Sequence, residues 1–263
     1  MLIEGIRLKF FNSFDLIRFS ISEYELLLCG GFMKFQPLEP WIMGNESITP
    51  VNFYGNFTPC METGAFIGLD VCCDLYLANT INTGNLRDSW MKNKEYIERV
   101  CEITGTDANC GYDLDKEEKL WVLEELGEPP VCCYNIYFIT IYNDEEEKLV
   151  YVGKTDANTS RFSNGHLAAL KLHNPKYHNY YKRVYFGTVM FLSYSKEYIP
   201  LEFITPFEEA ERYLGEMEAF LIDRLQPELN IKSEDVGELN ELSEVYIQNF
   251  SDEFNFMNEY IIS

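Results

Sequence analysis

Hydrophobic positions alternate most clearly near the middle of the chain, in two short runs separated by an acidic turn. The first run spans 133–142 and contains Ile136, Tyr137, Phe138, Ile139 and Ile141. The turn is Asn143-Asp144-Glu145-Glu146-Glu147-Lys148, and the second run, 149–155, contains Leu149, Val150, Tyr151, Val152 and Gly153. Both are rich in β-branched and aromatic residues and bounded by turn formers, which predicts a β-hairpin. A third apolar run at 184–192 predicts another strand. Between them the spacing predicts a helix from Thr159 or Ser160, carrying Arg161, Phe162, His166, Leu167 and Leu170 until Asn174-Pro175 stops it. A longer helix follows Thr205-Pro206-Phe207-Glu208, where Thr205 can cap and Glu208 can complete a capping box. Its apolar positions (Ala210, Tyr213, Leu214, Met217, Phe220, Leu221 and Leu225) recur at helical spacing until Pro227 ends it.

The first half is patterned differently. Residues 6–11, 16–21 and 24–28 read as short strands, with helical segments around 85–104 and 116–126. The segment Asp107 to Asp115 lacks the glycine and glutamate positions of a calcium loop, so it reads as a turn feeding the second helix. Gly127-Glu128-Pro129-Pro130 is the best boundary between an N-terminal domain, 1–130, and a second domain, 131–232. The last segment, 233–263, alternates acids with Leu239, Leu242, Val245, Tyr246, Phe250, Phe254 and Phe256, and reads as docked amphipathic helix. The expected class is α+β.

Charge changes the picture. The 263 residues carry a formal net charge of −22, which repels a polyanion such as nucleic acid. Yet the stretch 149–196 holds seven basic residues (Lys154, Arg161, Lys171, Lys176, Lys182, Arg183 and Lys196) against the single acid Asp156, a local net of +6. All three histidines, His166, His173 and His178, fall there too, interleaved with Tyr177, Tyr180, Tyr181 and Tyr185. Cations with stacking rings are what a nucleic-acid groove requires. The acids lie elsewhere: 21 in residues 1–130, and 8 in 233–263.

Within this frame Tyr137, Tyr151, Arg161, His166, Glu218 and Asn230 follow one another in a set order. Taken singly, a strand tyrosine is a packing residue and a helix glutamate is a solvated face. As an ordered set, with Asn135-Ile136-Tyr137, Tyr151-Val152-Gly153-Lys154 and Pro227-Glu228-Leu229-Asn230, the stretch 134–232 resembles the GIY-YIG nuclease domain. Asn135 stands where that family has its first glycine, and His166 fits the restriction-enzyme branch best. The resemblance implies a three-stranded antiparallel sheet flanked by helices and a magnesium- or manganese-dependent endonuclease acting on DNA. It implies Tyr137 as general base or proton relay, supported by Tyr151 and His166, with Arg161 gripping the phosphate and Glu218 as the metal ligand. Asn230 and Lys154 would orient the hairpin and the substrate backbone, and Lys171, Lys176, Lys182 and Arg183 would line the groove. Duplex cleavage would call for a homodimer. The alternative is a catalytically silent nucleic-acid-binding or acidic interaction protein on the same scaffold.

Eight cysteines without a CxxC pair read as free thiols in a reducing, cytoplasmic setting rather than a zinc site or disulfide framework. No secretory signal and no 18-residue apolar run is present, so no membrane partner is expected.

Overall fold

The computed structural model describes residues 64–106, 114–155, 162, 166–192, 198–230, 244–251, 256–257 and 260–262. The strands expected at 6–11, 16–21 and 24–28 lie outside them, as do Arg161 and Lys196. The chain is α+β. Strand β1 (Ala65–Asp74) leads through a 3₁₀ turn (Leu75–Thr80) to helix α1 (Leu86–Thr104). Helix α2 (Lys116–Leu126) precedes the hairpin of β2 (Ile136–Tyr142) and β3 (Glu147–Lys154). After the short helix α3 (Leu167–Lys171) come β4 (Tyr181–Leu192), β5 (Tyr198–Pro200) and helix α4 (Phe207–Leu225). Strands β6 (Val245–Asn249) and β7 (Tyr260–Ile262) complete the described elements.

The three strands anticipated from the hydrophobic pattern form, with β2 between β3 and β4 and every pairing antiparallel. They are three of seven, in the order β3-β2-β4-β1-β6-β7, with β5 pairing to β4. Strand β1 belongs to the stretch 1–130, yet it pairs along β4 from Ala65↔Phe191 to Asp74↔Arg183. The described part of the first half therefore shares a sheet with the second. The contact is close at Gly187, where a Cβ would sit 2.5 Å from the Gly68 carbonyl oxygen. Only a glycine allows the two backbones to approach so nearly.

The tail differs from its expectation. Residues 245–249 and 260–262 are strands, not amphipathic helix, with β6 parallel to β1 and β7 antiparallel to β6. Along β6, Val245, Ile247 and Asn249 are buried and the residues between them half-buried. That period of two matches a pleated strand, and pairing with β1 decides between the readings.

Helix ends follow local chemistry. Asn85 caps α1 by accepting from the Asp88 amide, and Gly105 closes it at φ 69°. Asp115 caps α2 in a full capping box with Glu118, so its carboxylate is occupied by backbone donors. The box expected at Thr205 does not form: α4 begins one residue later, with Pro206 at the cap position and no side-chain acceptor. The sheet divides two cores. Phe138, Val152 and Tyr185 pack toward α1 and α4, while Tyr137, Ile139 and Phe186 pack toward α3.

Candidate active site

The hairpin and the start of α3 bring four rings together. Tyr137 on β2 and Tyr151 on β3 stack at 6.0 Å between centroids. The His166 ring lies 5.1 Å from Tyr151, edge-on, and its Nε2 is 2.7 Å from the Tyr137 hydroxyl oxygen. Phe162 stacks on His166 at 5.0 Å and meets Tyr137 edge-on at 5.2 Å. Gly153 makes this possible, because a Cβ there would overlap the Tyr137 hydroxyl and lie 2.8 Å from the Tyr151 ring. The sequence pattern assigns neither Phe162 nor Gly153 this role. The four-residue interval between Phe162 and His166 was the only hint.

His166 does not sit inside a helix as the pattern suggested. It is the N-cap of α3, with Nδ1 accepting from the Ala169 amide at 3.4 Å. An accepting Nδ1 carries no proton, so the neutral ring bears its hydrogen on Nε2 and donates it to the Tyr137 oxygen. Tyr137 is 0% exposed and His166 8%, whereas Tyr151 is half-buried. Contact with water at this cluster thus falls to Tyr151, Phe162 and the edge of His166, with Tyr137 behind them.

Asn230 is tied to the outer edge of β3. Its Oδ1 accepts from the Val152 amide at 2.9 Å and its Nδ2 donates to the Val152 carbonyl at 2.8 Å. The Leu229 amide donates to the Val150 carbonyl beside it. The side chain completes the ladder that an edge strand leaves open. One donor and its acceptor are engaged by the backbone, so the side chain holds the hairpin.

Glu218 is half-buried on α4. It lies one turn beyond Gly215, where a Cβ would be 3.6 Å from the Lys154 ammonium nitrogen, so Lys154 extends along the face of α4 that Glu218 shares. Among the described residues no group of three or more His, Cys, Asp or Glu side chains could hold a metal ion. A caged metal site is thereby absent from them, but magnesium needs only one or two carboxylates with waters and substrate oxygens.

Most of the predicted phosphate-binding cations are engaged within the protein. Arg183 is 4% exposed, lies 3.4 Å over the Tyr142 ring and has Nε 3.7 Å from Glu147. It is a sheet residue, walled in because its strand pairs on both sides. Lys171 donates to the Leu229 carbonyl at 3.2 Å and Lys182 to the Tyr177 carbonyl at 2.8 Å. Lys176 pairs with Glu228, whose carboxyl that ammonium's hydrogen bond holds below its ordinary range. Among the described cysteines, Cys72, Cys73 and Cys132 are free thiols. Burial pushes the Cys72 thiol up to about 12, so it is unsuited to nucleophilic or metal chemistry.

No family model, no curated protein and no solved structure matches the chain. No helix among the described residues is long and apolar enough to cross a membrane.

Proposed function

We propose that this chain is a divalent-metal-dependent endonuclease of the GIY-YIG kind, hydrolysing DNA phosphodiester bonds. The observation that carries the reading is the 2.7 Å bond between Tyr137 and His166 beside Tyr151, on a hairpin whose glycine exists to admit the tyrosine. The triplet β3-β2-β4 at one edge of the sheet, the order of the four described candidate residues and the placement of Asn230 support the reading, being what the family resemblance implies.

Phosphodiester hydrolysis needs a proton acceptor for water, neutralisation of the phosphate and stabilisation of the leaving oxygen. His166 supplies the first. Tyr137 fixes the imidazole by accepting from Nε2, so the ring gains its proton at Nδ1 and gives up the long hydrogen bond from the Ala169 amide as it does so. The resulting imidazolium stays held by the phenol oxygen. Tyr151, half-exposed on the edge strand, presents its hydroxyl to the incoming water or phosphate. Arg161 is the candidate grip on the phosphate, through a fork that lysine cannot reproduce. Glu218 would hold magnesium or manganese, and a bound ion there would polarise the phosphate and stabilise the leaving oxygen.

Incubating plasmid, single-stranded and branched DNA with the protein and magnesium tests this. Wild type is expected to cut at least one form. Tyr137→Phe, His166→Ala and Glu218→Ala each lower the rate by about 10²- to 10⁴-fold, the usual worth of a positioned proton-transfer group. Equal cutting by all four proteins would identify a contaminant and overturn the assignment. No cutting of any form would favour the second reading, a silent binding or acidic interaction protein, which the charge of −22 and the internally engaged cations support.

A further inference from the structure

A cleft of about 210 Å³ opens beside the imidazole of His166, on the side of the sheet that α3 covers. Its lining includes Tyr76, Asn79, Phe162, His166, Leu170 and His173. It exceeds the ~30 Å³ share of a water several-fold and falls below the roughly 300–1,000 Å³ of a drug-sized site. That is room for one flat ring system. None of the described lining residues is acidic, in a chain with 43 acids. Tyr76 at the rim is 76% exposed and Leu170 60%, an apolar surface left open to solvent.

We infer that this cleft is a subsite for a single unpaired nucleobase, adenine for preference, on the strand whose phosphate is cut at the Tyr137–His166 pair. The inference rests on the nuclease reading and adds to it how the substrate is chosen. Four rings with no carboxylate among the described lining residues suit a base, because every base presents a π-face. Asn79 carries the side-chain amide that pairs with the N6 and N7 edge of adenine. The stacked Phe162 and His166 rings line the cleft and also touch Tyr137, so one wall serves both places. A base lodged there places its own phosphate next to the proton acceptor. The location also answers the charge problem, since stacking adds affinity that a strongly acidic protein cannot draw from phosphates.

The test is equilibrium binding of the full chain, without divalent metal, to single-stranded oligonucleotides carrying 2-aminopurine at successive positions. One position is expected to lose fluorescence on binding as the base stacks in the cleft. Tyr76→Ala, at an exposed residue whose truncation spares the core, restores that fluorescence and weakens binding by roughly 5- to 100-fold. Asn79→Ala leaves stacking but erases the preference for adenine over the other bases. Quenching at no position, or unchanged binding by Tyr76→Ala, overturns the subsite even if the protein cuts DNA. Quenching that depends on Tyr76 in a protein that cuts nothing upholds the subsite and removes the hydrolytic reading. Free deoxyadenosine monophosphate binding as tightly as the oligonucleotide would overturn the assignment to a strand.

Discussion

Asp70 shows how a single carboxyl registers its place in the fold. It sits where the β1–β4 register shifts between Leu69 and Val71, and burial raises its pKa from 3.8 to about 7. The folded state therefore retains a proton that the unfolded chain has released between those values. Stability falls as pH rises from about 4 through 7 and levels off above, because the native state binds more protons than the unfolded one. Asp70→Asn is expected to be more stable than wild type at pH 8 and to flatten the slope, measured as urea midpoints at pH 5 and 8. A midpoint difference between those pH values as large as in wild type would show that another group sets the slope. Gly153 and Tyr137 illustrate a different residue-scale rule. The tyrosine was legible as part of an ordered set, but that its ring crosses the neighbouring strand at a glycine depended on register. Register is invisible in the sequence, since a slip of one residue turns every side chain to the other face.

Elements reveal which side chains build and which remain for chemistry. The hairpin carries the tyrosines, and Asn230 binds its outer strand through both faces of one amide. Asn230→Ala removes two hydrogen bonds and leaves the Val152 amide and carbonyl exposed at the edge. A loss of about 1–3 kcal/mol is expected, the range for two net hydrogen bonds, together with faster amide exchange at Val152 by NMR. Unaltered exchange at that position would mean water replaces the side chain at no cost. The helices α1, α2 and α4 were readable within a residue or two because apolar spacing and caps act locally. The start of α4 was misplaced by one residue, because Pro206 takes the cap position instead of the first turn. The tail was misread as helix because acids and apolar residues at mixed spacing satisfy either period, and β1 was needed to settle it.

At the scale of the whole molecule, the proposed activity raises the question of how an acidic protein would meet DNA. With Lys171, Lys176, Lys182 and Arg183 engaged by protein groups, few cations remain to displace counterions. The logarithm of DNA affinity against that of salt concentration is expected to have a slope of roughly −3 or shallower, against about −6 if all seven cations of 149–196 neutralised phosphates. A steeper measured slope would show that those lysines leave their internal partners on binding. The sequence by itself determined the α+β class, the hairpin, the long helices and the order of the candidate residues along the chain. These follow from local propensity and periodicity, which need no partner. Tertiary structure decided that β1 and β6 extend the hairpin's sheet and that Arg183 is buried. It also decided that the His166 ring meets Tyr137 and that a cleft opens beside it. Each of these depends on contacts between residues far apart in sequence, whose energies a local pattern does not contain.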